Sequence, residues 1–138
     1  KALEFGVSEA LQPSKSKIKR YAKKNGNPTF IFDCVGNQET ITLGITVIER
    51  GGTILIEGIH KGTIELPAFM INSKEVGIKG CLSHDRDDIF ASIELFKSGK
   101  IYPGKLITDT VKLKNLQKAC EEHLHPGERK YIKRVVEL

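Results

Sequence analysis

The side chains able to bind metal or act as nucleophiles fall into a few groups whose spacing can be weighed against known chemistry. Cys120, His123 and His125 form a Cys-x-x-His-x-His cluster, and a thiolate with two imidazoles offers three zinc donors. A structural zinc site needs a second pair of ligands, which the sequence lacks, so the cluster reads as a helix end with a solvated histidine pair. His60 and His84 sit in loops after apolar runs; either can serve a substrate or a phosphate, but a solvated loop histidine is the commoner case. Cys34 and Cys81 have no adjacent base or cation to favour a thiolate and read as packing thiols. Asp85, Arg86, Asp87 and Asp88 resemble an acidic metal cluster, yet their place in a first helical turn is explained by the helix dipole. Lys15, Lys17, Lys19, Arg20, Lys23 and Lys24 lie on one basic helix with a single aromatic, Tyr21. With no stacking pattern, the helix reads as a solvated face and no nucleic-acid partner is expected.

The elements that position these residues follow from an ordinary globular composition. The 138 residues are 39% hydrophobic and 28% charged, with no Trp, 13 Gly and 5 Pro, which argues against collagen, coiled-coil and disordered classes. Length allows one hydrophobic core. No apolar run is long enough for a membrane span and no leader pattern opens the chain, so a cytoplasmic protein with no membrane partner is expected. Three cysteines, an odd number, make a disulfide framework an unsuitable reading.

Lys1 to Phe5 followed by Gly6 reads as the last turn of a helix whose beginning is absent, which marks the chain as a fragment. Val7 to Leu11 is expected as a short strand, and Pro13-Ser14 opens the basic helix, with Ile18, Tyr21 and Ala22 at helical spacing. Thr29 to Cys34 is a nearly unbroken apolar run, as in a strand buried on both faces of a parallel sheet. Ile41, Ile45 and Ile48 give Gln38 to Arg50 one apolar helical stripe; Thr53 to Glu57 is the next strand, Leu66 to Asn72 a short helix and Glu75 to Cys81 a third strand. Strand, helix, strand with short glycine connections predicts a parallel α/β sheet with right-handed crossovers. Asp85 to Ser98 and Leu113 to Glu122 are expected helices, Ile132 to Val136 is an expected strand, and a change of pattern near Lys100 to Lys105 marks a boundary.

Phe32-Asp33-Cys34-Val35-Gly36, Arg50-Gly51-Gly52-Thr53-Ile54-Leu55-Ile56-Glu57-Gly58, Ile78-Lys79-Gly80, Ser98-Gly99-Lys100-Ile101 and Leu106-Ile107-Thr108, in this order, resemble the medium-chain dehydrogenase/reductase superfamily. Within it they resemble most the zinc-dependent alcohol, polyol and threonine dehydrogenases. The resemblance implies a truncated Rossmann-like sheet over residues 1–102, the second half of an NAD- or NADP-binding domain. Residues 103–138 would be a short C-terminal segment returning to the catalytic domain. The Gly-x-Gly-x-x-Gly fingerprint is absent, since Gly58-Ile59-His60-Lys61-Gly62 does not match it.

In such sheets ligands bind outside the carboxyl ends of the strands. The resemblance therefore implies a cofactor site at Cys34, Val35 and Gly36, at Glu57, Gly58 and Ile59, and at Cys81, Leu82 and Ser83. Backbone groups of Glu57, Cys81 and Ser83 would hold the nicotinamide carboxamide, and Val35 and Ile59 would line the ring. Glu57 departs from relatives that carry an apolar residue there. The implied activity is hydride transfer between an alcohol or polyol and NAD(P), with zinc held by residues this chain lacks; no catalytic or metal residue is assigned here. The zinc-free quinone reductase branch fits the same segments. A homodimer joined through strand 75–81 is expected. The competing readings are a stand-alone dimerising half domain without catalysis and a small basic nucleic-acid binder.

Overall fold

The computed structural model describes residues 1–12, 14–124 and 131–138, and the chain divides into two compact units, Lys1–Ser83 and His84–Leu138. In the first unit a 3-10 turn, Ala2–Phe5, ends at Gly6 with φ 85°, and its N–H reaches the Leu3 carbonyl, as the glycine cap predicts. Helix α1 (Lys15–Asn25), strand β1 (Phe30–Asp33), helix α2 (Gln38–Val47), strand β2 (Thr53–Ile56), helix α3 (Ala68–Lys74) and strand β3 (Gly77–Gly80) follow. The three strands form one parallel sheet in the order β1-β2-β3, so the α/β expectation holds.

The core is the predicted isoleucine stripe. Ile41, Ile45 and Ile48 are buried with Ile54 of β2 and Val76, and Ile31, Ile56 and Ile78 pack against them. Gly44 lets α2 approach the sheet, because a Cβ there would lie 3.3 Å from Ile54 Cδ1. Asn37 caps α2 by accepting from the Thr40 N–H at 2.9 Å while the Thr40 hydroxyl accepts from the Asn37 N–H. At the other end the Lys74 Nζ donates to the carbonyls of Ile45, Thr46 and Ile48 at 3.1, 2.7 and 3.0 Å, meeting three of the groups a helix C-terminus leaves unpaired. The helix ends at Val47, short of Arg50, because Ile48 turns extended and Glu49 donates to the Pro28 carbonyl.

Two expectations are corrected. Residues 7–11 form no strand: an isolated extended segment needs a partner to bond with, and no strand of the described residues pairs with the outer edge of β1. Nor is β1 buried on both faces. Ile31 and Asp33 turn toward the core, whereas Phe30 and Phe32 are 63% and 65% exposed, because the apolar run does not record which faces are covered.

The second unit holds helix α4 (Arg86–Lys97), strand β4 (Ile107–Lys112), helix α5 (Leu116–Leu124) and strand β5 (Lys133–Glu137). β4 and β5 pair in parallel. The Asp85 carboxylate accepts from the Asp88 N–H at 2.9 Å and the Asp88 carboxylate from the Asp85 N–H, so these two residues form a capping box, while Asp87 and Asp88 lie in the first turn where the helix dipole favours them. Arg134 of β5 ties this unit together, donating to Asp109 and Glu122 while lying over the Tyr131 ring at 4.1 Å. β4 was not anticipated, since Pro103-Gly104 obscured the β-branched Thr108-x-Thr110-Val111 run after it. Among the described residues no helix is long and apolar enough to cross a membrane.

Candidate functional site

The carboxyl ends of β1, β2 and β3 lie side by side, because all three strands run the same way in adjacent register. Each ends in residues singled out from the sequence: Cys34-Val35-Gly36, Glu57-Gly58-Ile59 and Cys81-Leu82-Ser83. The first two groups meet backbone to backbone. A Cβ on Gly36 would lie 2.3 Å from the Gly58 carbonyl oxygen, and one on Gly58 would lie 2.1 Å from the Val35 carbonyl carbon. Gly36 also has φ 70°, so both glycines are required by space and the first by conformation as well.

Asp33, absent from the set of expected site residues, organises this junction. Its side chain is 6% exposed; Oδ1 accepts from the N–H groups of Val35 at 3.0 Å and Gly36 at 2.9 Å, and Oδ2 accepts from the Thr40 hydroxyl at 2.7 Å. Its backbone carbonyl receives the N–H groups of Glu57 and Gly58, both at 3.0 Å. Burial pushes the Asp33 carboxyl up, but the hydrogen bonds from Gly36, Thr40 and Val35 outweigh it and hold the group below its usual value. The signal available in sequence is an aspartate ending an apolar run three residues before a glycine, the spacing of an Asx-type turn.

The N–H groups of Glu57, Gly58 and Cys81 are committed to the sheet, the last donating to the Ile56 carbonyl at 2.9 Å. The carbonyls of Glu57 and Cys81 and the N–H of Ser83 have no partner among the described residues. Ser83 holds φ 61°, rare for a residue with a side chain. Cys34, Val35, Glu57, Ile59, Cys81, Leu82 and Ser83 are all exposed, with Ile59 and Leu82 at 77% and 81%. The result is a row of backbone donors and acceptors flanked by open apolar side chains, suited to a flat polar heterocycle. The loop after β2 is pinned beside it: Gln38 Nε2 donates to the Glu65 carbonyl and the Glu65 N–H donates to Gln38 Oε1, each at 2.8 Å.

The other candidates do not converge on a site. Cys120 and His123 border an apolar cleft of about 630 Å³ with Leu116, Tyr131 and Ile132, and His123 Nδ1 lies 3.3 Å from the Tyr131 hydroxyl. His125 lies outside the described residues, and among the described residues no three His, Cys, Asp or Glu side chains gather as metal ligands. Zinc therefore does not fit the residues described.

A family model described as zinc-binding dehydrogenase matches residues 1–98. D-xylulose reductase of Saccharomyces cerevisiae is 34% identical over 110 residues, covering 80% of this chain and 31% of its own. Among solved structures, a short chain alcohol dehydrogenase of Escherichia coli complexed with NADH superposes with a TM-score of 0.85 at 22% identity, over 96% of this chain and 39% of that one. For 2R,3R-butanediol dehydrogenase of Bacillus subtilis the TM-score is 0.79 at 24% identity, over 99% and 40%. At such identities the structural likeness speaks to the fold alone. The chain spans about a third of the length of the curated relatives it matches, 31% and 36% for two of them.

Proposed function

Because the chain belongs to the zinc-binding dehydrogenase family, we propose that it is the nicotinamide-side half of the cofactor domain of an alcohol or polyol dehydrogenase using NAD or NADP. Residues 1–102 supply that half and residues 103–138 return to the enzyme's catalytic domain. The bound cofactor supplies the hydride chemistry. This chain's part is to hold and orient it. The open carbonyls of Glu57 and Cys81 accept from the carboxamide NH₂ and the free Ser83 N–H donates to its oxygen, while Val35 and Ile59 flank the ring. Cys34, Gly36, Gly58 and Leu82 complete the cradle. No step through zinc is assigned to these residues. A cytoplasmic location fits the three free, exposed cysteines.

The observation that carries the reading is the backbone contact between Gly36 and Gly58 at the mouth of three parallel strand ends. A Cβ at Gly58 must separate those ends. In the full-length enzyme, Gly58→Ala is expected to weaken NADH or NADPH binding at least tenfold by titration calorimetry while the circular dichroism spectrum keeps its α/β shape. Unchanged affinity for both cofactors would remove the site. Failure of the unaltered full-length protein to bind either cofactor would leave the assembly-module reading in its place.

A further inference from the structure

Helix α1 carries six cationic residues and no acidic one, leaving 16 cationic against 17 acidic residues in the rest of the chain. The helix thus carries +6 on 11 residues while the rest of the chain sums to −1, so the net charge of +5 arises from this one element. At about 100° per residue, Lys15, Lys19, Lys23, Arg20, Lys24 and Lys17 cover a continuous arc of roughly 200°. All six are exposed, whereas Ile18 and Tyr21 on the remaining arc are half-buried and Ala22 is buried against α2. The acidic groups bordering the arc are Glu39, 3.7 Å from Lys15, and Glu49, beside Lys19 and Lys23. Among the described residues the other five cations make no ion pair.

We propose that this face of α1 docks the phosphate backbone of nucleic acid without reading its bases. Charge complementarity argues for a polyanion, and the choice among polyanions follows from the packing. An interfacial membrane helix must offer an apolar face to lipid, and the apolar face of α1 is already occupied by α2. The lack of a stacking aromatic, which argued against nucleic acid from the sequence, excludes only base recognition, because backbone binding requires cations alone.

The test is the anisotropy of a fluorescein-labelled random-sequence duplex titrated with the full chain. With about four phosphate contacts, the slope of log K against log salt should be about −3.6, so affinity falls roughly 100-fold between about 50 and 200 mM salt. Replacing Lys19, Arg20, Lys23 and Lys24 by Gln together should bring the slope to about −1 or flatter and weaken low-salt binding at least about tenfold. A matched control replaces the exposed Lys100, Lys105, Lys112 and Lys114 by Gln and changes net charge equally. It should bind nearly as the unaltered chain does. The proposal is overturned if the control loses as much affinity as the α1 variant, if no duplex binds at low salt, or if phosphatidylserine vesicles are bound and the duplex is not.

Discussion

Asp33 shows how one carboxylate fixes the geometry of the strand ends. Its Oδ1 satisfies two backbone N–H groups that would otherwise point into a buried turn, and its Oδ2 receives Thr40, whose hydroxyl also belongs to the cap of α2. Removing the acceptor strands those donors, each at a cost of about 1–3 kcal/mol. Asp33→Ala should therefore lower stability by about 3 kcal/mol in urea denaturation, and Asp33→Asn by less, since the amide oxygen can still accept. The pH dependence follows from the same contacts. Because the folded carboxyl titrates below its usual value, its contribution is fully present above about pH 4, the unfolded value, and is lost as pH falls through the lower folded one. Urea midpoints compared near neutrality and below about pH 4 should diverge for the unaltered chain and converge for Asp33→Asn. The glycines and strand ends were legible in sequence because a glycine directly after an apolar run marks a turn. Asp33 was not, since its role lies in bonds that only the folded junction creates.

Among the elements, α2 depends on a residue far from it in sequence. Lys74, at the end of α3, supplies the C-terminal cap that α2's own residues lack, placing a cation where the helix dipole favours one. Lys74→Met keeps the stem but leaves three carbonyls without their charged donor, an expected loss of about 1–3 kcal/mol. Thermal unfolding followed by circular dichroism should show the fall, with Lys74→Arg recovering part of it; an unchanged midpoint for Lys74→Met would show that the cap carries no stability. The isoleucine stripe of α2 announces itself through helical spacing, although the helix stops at Val47 instead of Arg50, and the strand expected over Thr53 to Glu57 forms over Thr53–Ile56. Residues 7–11 form no strand, because a strand is a property of two segments and pattern describes one. β4 is hidden for a local reason: Pro103-Gly104 directly precedes its β-branched run and reads as a turn.

At the scale of the whole molecule, the open question is what meets the exposed surfaces. Phe30 and Phe32 leave one face of β1 exposed, and among the described residues no strand pairs with the outer edge of β3. An unpaired edge is a template for another chain, which is consistent with the homodimer expected from the sequence through residues 75–81. The bonding pattern tells which groups face outward. Gly77 and Cys81 donate to the Gly52 and Ile56 carbonyls of the β2 side, so in a parallel ladder the N–H groups of Ile78 and Gly80 point the other way. Proline at position 80 would remove one outward donor and thicken the edge without breaking a bond to β2, and a Cβ at Gly80 meets nothing within 4 Å. In the full-length protein, Gly80→Pro should therefore convert dimer to monomer in light scattering while α/β circular dichroism and cofactor affinity persist. A dimer that survives Gly80→Pro would move the interface away from this edge. A variant that loses both its dimer and its fold would be replaced by Gly80→Asp, which leaves the backbone bonds to β2 in place, meets nothing within 4 Å at its Cβ and sets like charges against each other across a two-fold axis.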